Sequence, residues 1–177
     1  MDIDPQIAPA LGFPKSEYIA IERERRWLCR AVPADRILRS EAITDLYVTG
    51  TRLRLREARP TNGAAPMLRL SRKADIDSRT RLITSIYLSE DEFAVLACSL
   101  PGIRIRKLRH RLGRAAGVEM LVDEFQDELA GLILAEAQFD TPARMASFAM
   151  PAFALREVTD DERFTGGRLV KDGIPSA

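Results

Sequence analysis

Histidine and cysteine are nearly absent from these 177 residues, with one His and two Cys. A single His110 excludes the usual Ser-His-Asp catalysis and every His-rich zinc site, and it reads as a surface residue on a strand. Cys29 and Cys98 lie in apolar contexts without metal-ligand spacing, so each is expected to be a core thiol and no disulfide framework is expected. Aromatic residues are scarce at 6%. There is no glycine-rich phosphate loop, internal repeat, heptad pattern or low-complexity tract. No apolar run approaches the roughly 20 residues that span a bilayer, and Asp2 and Asp4 stand where a signal peptide would carry positive charge. A cytoplasmic protein without a membrane partner is expected. Net charge is small as well: 27 Lys and Arg against 26 Asp and Glu leave +1, which argues against a general nucleic-acid binder. Any basic site must be local.

What is present is charge arranged by strand parity. In Tyr18–Leu28, Glu22, Glu24 and Arg26 share one face of a strand, and Ile21, Arg23, Arg25 and Trp27 share the other. Two carboxylates a strand repeat apart repel unless a cation lies between them, and an oxygen-ligand ion such as Mg²⁺ or Mn²⁺ suits them. Further on, Thr51–Arg56 alternates without a fault, with leucines on one face and arginines on the other. Strands are also expected at Asp45–Val48, Met67–Lys73, Arg81–Leu88, Ile103–Leu112, Val118–Phe125 and Leu132–Asp140. Pro33–Leu38 suggests a short helix and Ser40–Thr44 a connector. Ser89–Glu92 is a capping box that opens a helix over 90–100, closed by Pro101-Gly102. Thr141 with Pro142 caps another helix, and Thr159–Glu162 reads as a second capping box.

About eight strands with two or three short helices and no βαβ rhythm predict an α+β, mainly β chain: an antiparallel barrel of eight strands, closed or nearly so. Residues 1–16, with three prolines, read as an irregular lead-in to a single domain over 17–177. Arg54, Arg56, Lys73, Lys107 and Arg109 make basic faces, and Glu22, Glu24, Asp123 and Glu136 acidic ones. These faces either point outward over an apolar core or line the lumen, where opposite charges must pair with each other or with ions.

Ile21–Arg26 resembles the E-x-E-x-K signature of the CYTH superfamily, the triphosphate tunnel metalloenzymes. The likeness runs on, in family order, through Leu53–Arg56, Leu70–Lys73, Lys107–Arg109, Val122–Phe125, Gly131–Glu136 and Arg156–Phe164. The resemblance implies a tunnel that binds a triphosphate end to end and hydrolyses it, or cyclises ATP, with Mg²⁺ or Mn²⁺. It implies Glu22, Glu24 and Glu136 as metal ligands with Asp123 beside them, Glu22, Glu24 and Arg26 as the catalytic strand, and Arg54, Arg56, Lys73, Lys107 and Arg109 as the phosphate cradle. The expected activity is a metal-dependent triphosphatase, on inorganic tripolyphosphate foremost, in a monomer or homodimer. A non-catalytic polyphosphate or nucleotide binder and an adenylate cyclase of the same fold are the alternatives. Three departures bear on turnover. Arg26 replaces the lysine and cannot act as a general base; Gln138 stands in place of a second glutamate; Ile83 and Ser85 stand where relatives carry a further pair of acids.

Overall fold

The computed structural model describes residue 4 and residues 6–176. Met1–Ile3, Pro5 and Ala177 lie outside the described residues, and so does that part of the expected lead-in. The strands are β1 (Ala20–Cys29), β2 (Ile37–Val48), β3 (Leu53–Pro60), β4 (Met67–Asp75), β5 (Thr80–Tyr87), β6 (Gly102–Leu112), β7 (Met120–Phe125), β8 (Ile133–Phe139) and β9 (Ala154–Glu157). Helices α1 (Ile7–Ala10), α2 (Glu90–Ser99), α3 (Pro142–Ser147) and α4 (Gly166–Asp172) lie among them.

Strands β5, β4, β3, β2, β6, β7, β8 and β1 follow one another antiparallel, and β1 pairs with β5 to close the barrel. Strand β1 is the keystone. One edge pairs with β8 from Arg23 to Leu28. The other pairs with β5 only from Ala20 to Arg23, and then with the extra strand β9 from Trp27 onward. Parity does what alternation predicts: Trp27 is wholly buried in an outer apolar cluster with Met120, Val122 and Ala135, while Glu22, Glu24 and Arg26 line the lumen.

The capping box is present at Ser89, whose hydroxyl accepts from Glu92 N, and Thr141 caps α3 through Arg144 N. Other expectations need correction. Ser40–Thr44 is not a connector but the middle of β2, laddered to β6 on one side and to β3 from Glu41 on the other; long partners on both sides override weak local signals. Pro33–Leu38 supplies only a 3₁₀ turn at Ala34–Arg36. Thr159–Glu162 is not a capping box: Asp161 caps a single 3₁₀ turn over Glu162–Phe164, and the Thr159 hydroxyl instead accepts from Arg26 N at 3.0 Å. Strand β9 and helix α4 are not expected from the sequence, being too short or too glycine-rich to give a periodic signal. Within the lead-in, α1 makes one helical turn. It brings Ala8 and Phe13 against Ala74 and Leu82, and Arg72 lies over the Phe13 ring.

His110 is buried, its Nδ1 2.8 Å from Ser40 Oγ, rather than a surface residue. Cys29 is a core thiol, but Cys98 is exposed on α2, a helix with no buried residue. Among the described residues no helix is long and apolar enough to cross a membrane.

Candidate active site

The inward faces of the eight strands enclose one charged lumen. Among the described residues eight cations line it: Arg26 from β1, Arg54 and Arg56 from β3, Arg69 and Lys73 from β4, Arg81 from β5, and Lys107 and Arg109 from β6. Four carboxylates face them: Glu22 and Glu24 from β1, Asp45 from β2 and Glu136 from β8. Asp123, on β7, stands directly behind Lys107 and Arg109. Counting it, cations exceed carboxylates by three. The open space is only about 80 Å³, because the side chains meet across it.

The lumen has one wet end and one dry end. Glu22, Lys73 and Glu136 keep 16%, 20% and 18% of their side-chain surface exposed, and Gln138 beside them is exposed; this is the mouth. At the other end Ile105, Phe125, Leu134, Phe164 and Leu169 are all buried in one cluster. Phe164 and Leu169 belong to the C-terminal turn and α4, which stop that end of the barrel. Gly166 permits the approach, since a Cβ there would lie 2.0 Å from Tyr47 Oη.

Ion pairs divide the lumen into two halves. In the acidic half, Lys73 Nζ donates to Glu22 Oε2 at 2.6 Å and Gln138 Nε2 to Glu22 Oε1 at 3.0 Å. Arg81 meets Glu24 at 2.9 Å, and Arg109 meets Glu136 at 2.8 Å. Burial works to raise the Glu22 carboxyl, but Lys73, Arg81 and Arg54 override it and hold it at about 2. Glu24 goes the other way: burial, then the charges of Glu136 and Glu22, raise its carboxyl despite Arg81. Lys73 is pushed down to about 8, by burial and by Arg54, more than Glu22 can offset.

In the basic half a single carboxylate serves two guanidiniums. Arg56 binds Asp45 in a bidentate pair at 2.6 and 2.6 Å, and Arg54 Nε lies 3.5 Å from the same carboxylate. Those two arginines drive Asp45 far below the ordinary carboxylate range in spite of its burial. At Arg69 burial, Arg56 and Arg54 outweigh the opposing charges of Asp45 and Glu22 and lower it to about 10. Buried donors without a hydrogen-bond partner collect in this lumen: Arg54 Nε and Nη2, Arg69 Nε and Arg26 Nε.

Every expected site residue lines the cavity except Asp123. Fully buried, Asp123 gives both oxygens to Lys107 and Arg109, which makes it their fixed counter-ion. Arg26 faces the lumen, but its guanidinium is tied to the carbonyls of Phe164 at 2.9 Å and Thr159 at 3.2 Å. Among the charged and hydroxyl-bearing lining residues, Asp45, Tyr47, Arg69 and Arg81 stand outside the set expected from the sequence. Strand parity would have found Arg69, which shares a face with Lys73, and Arg81, which shares one with Ile83 and Ser85. Asp45 needed the register that sets it opposite Arg56. Among the described residues no three acidic, Cys or His side chains stand close enough together to hold a metal ion. Glu22, Glu24 and Glu136 are oxygen donors of the kind hard divalent cations take, each held in an ion pair, with Lys73, Arg81 and Arg109 respectively.

No protein-family model matches the chain, and no curated protein matches it significantly. Solved structures do. The inorganic triphosphatase NE1496 aligns at 22% identity over 88% of this chain and 97% of that one, with a TM-score of 0.58. The PH1819 protein of Pyrococcus horikoshii OT3 aligns at 18% identity over 71% and 82%, with a TM-score of 0.54. At such identities the likeness is one of fold. What the chain shares with these two proteins is the fold, over most of its length.

Proposed function

We propose that this chain hydrolyses a small linear triphosphate, inorganic tripolyphosphate foremost, with Mg²⁺ or Mn²⁺. The observation that carries the reading is the group of guanidiniums of Arg54, Arg69 and Arg26, on which the buried Arg54 Nη2 and Arg69 Nε have no hydrogen-bond partner and the buried Arg54 Nε and Arg26 Nε only distant carboxylates at 3.5 and 3.6 Å. Each unmet buried donor costs about 1–3 kcal/mol, and several around one cation-rich lumen are matched by a ligand made of anionic acceptors. The fold likeness to an inorganic triphosphatase supports the same class of ligand.

Phosphoryl transfer asks a protein mainly to hold the anion in line and neutralise its developing charge. Arg54, Arg56 and Arg69 would bind one stretch of the chain, and Lys73, Lys107 and Arg109 the next, with Asp45 and Asp123 fixing the directions of these cations. Glu22, Glu24 and Glu136 would hold the divalent ion, which when bound supplies charge neutralisation and an acidified water. Attack of water on a terminal phosphorus breaks one bridging P–O bond and gives orthophosphate and pyrophosphate. The proton that water gives up leaves on a phosphate oxygen of the products; Arg26 stays protonated and does not take it. The apolar stop at Phe164 and Leu169 keeps bulk water out of that end.

Non-catalytic polyphosphate binding is favoured by one observation: each of Glu22, Glu24 and Glu136 is matched to a side-chain cation, and Gln138 adds no charge. One experiment separates these readings. Orthophosphate release from tripolyphosphate, ATP and thiamine triphosphate is measured with Mg²⁺ or Mn²⁺, cyclic AMP is assayed in the same tubes, and binding is followed by calorimetry. Metal-dependent release from tripolyphosphate is expected. Binding without release would make the chain a binder, cyclic AMP a cyclase, and neither binding nor release would sink the tunnel as a triphosphate site.

A further inference from the structure

A lumen stopped at one end poses a problem that follows from the proposed hydrolysis. Of the two products, the one formed deeper is trapped behind the other unless a second way out exists. The barrel wall has a seam where such a way lies. Along β1, pairing with β5 stops at Arg23 and pairing with β9 starts at Trp27. Between them no ladder runs: Glu24 N donates to Arg79 O at 2.9 Å, Arg26 N to Thr159 Oγ1 at 3.0 Å and Val158 N to Arg26 O at 2.9 Å, while Ser78 and Arg79 reach from the β4–β5 turn to Asp160 across the seam, each at 2.5 Å. Outside this seam, between the β4–β5 turn and the start of α4, lies a cleft of about 470 Å³. Arg26 and Arg81 line both that cleft and the lumen.

Arg81 is built as a two-sided latch. Its guanidinium meets Glu24 Oε1, inside, at 2.9 Å and Asp75 Oδ1, at the rim, at 3.1 Å. Glu24 is 5% exposed and Asp75 is 64% exposed, so one side chain spans the wall from the dry interior to solvent.

We infer that the seam between β5 and β9 is a guarded back exit for orthophosphate, with Arg81 as the side chain that passes the anion from the lumen to the outer cleft. A guanidinium shared between two carboxylates, neither of which takes a well-formed hydrogen bond from it, exchanges one for an incoming phosphate at little cost, because the ion-pair contact it loses is replaced in kind. The opposite end of the lumen stays occupied by the longer product or by the next substrate while this happens.

Gly167 offers a clean test. It lines the cleft, and a Cβ built on it meets nothing within 4 Å, so a large side chain there obstructs the exit without a clash in the core. The protein is loaded with labelled orthophosphate and chased with excess tripolyphosphate, which occupies the mouth. Gly167→Trp is expected to slow release of label by about tenfold or more, as when product release becomes limiting, while Gly167→Ala releases at the parental rate. Equal release rates in the parent and Gly167→Trp, with both proteins folded by circular dichroism, would overturn the exit, and so would a parent that retains no orthophosphate. Production of new orthophosphate from the chase reports separately on the triphosphatase reading: its absence would overturn that reading, while the exit still stands or falls by the release rates of the label.

Discussion

At the scale of single residues, the lumen sets binding against stability. Arg69 is half-buried and crowded by Arg56 and Arg54 more than Asp45 and Glu22 offset. Arg69→Ala should therefore weaken tripolyphosphate binding by about 1.5–3 kcal/mol, the worth of a charge-assisted bond, and raise the melting temperature of the ligand-free protein; calorimetry and a thermal melt on the same sample check both. Glu24→Gln should abolish metal-dependent phosphate release and likewise raise the ligand-free melting temperature, since it removes a buried charge that Glu136 and Glu22 oppose. Gln138 donates to Glu22 at the mouth and pairs with Glu24 across β1 and β8. Gln138→Glu should lower the Mg²⁺ or Mn²⁺ concentration at half-maximal activity, because hard cations are held largely by carboxylate charge. An unchanged half-saturation point would place that residue outside the metal site. Asp45 shares the acid limb of stability with Glu22 and Asp123, whose carboxyls are lowered too. Its folded carboxyl lies far below its ordinary value of 3.8, so its contribution is complete above about pH 4 and is lost as pH falls below it. Asp45→Asn should flatten the acid limb of a stability-against-pH curve, and it should cost about 3–5 kcal/mol at neutral pH by stranding buried Arg54 and Arg56.

At the scale of elements, the decisive one is the C-terminal segment that stops the barrel. Tyr47 on β2 sits where any side chain at position 166 would stand. Gly166→Ala should push α4 off the barrel end at a cost of about 1–3 kcal/mol, as overpacking does. Hydrogen exchange should rise over residues 158–172 and stay unchanged in β7. Equal protection in both proteins would mean that Tyr47 moves instead and the stop survives. Element by element, the sequence was most legible where parity repeated. Leu53–Arg56 could only be a strand with arginines on one side, and Ser89 with Glu92 could only open a helix. It was least legible where an element owes its existence to partners. Ser40–Thr44 is a strand because β6 and β3 flank it, and β9 is four residues that exist by pairing with β1.

At the scale of the whole molecule, a net charge of +1 conceals a lumen lined by eight cations and four carboxylates, with Asp123 behind two of the cations. Saturating tripolyphosphate, at about a hundred times Kd, should add roughly 2.7 kcal/mol of stability, which is roughly 5–10 °C in Tm for a chain of this size. Sulfate at the same concentration, too short to bridge both halves of the lumen, should give much less, and equal shifts would mean that the lumen does not discriminate by chain length.

The sequence alone determined the period of each strand, the sign of charge on each face and hence the set of candidate ligands, because side-chain direction in a strand depends only on parity. Which of the two faces is inside, and which charge answers which, was decided by closure of the barrel through β1 and β5. Pairing across the lumen depends on register between strands distant in the chain, and no local pattern encodes it. That is why Lys73 with Glu22, or Arg81 with Glu24 and Asp75, emerged only in three dimensions. The dry end of the tunnel and the seam beside it belong to tertiary structure for the same reason: they are made where α4 and β9, weak signals by themselves, meet a barrel already closed.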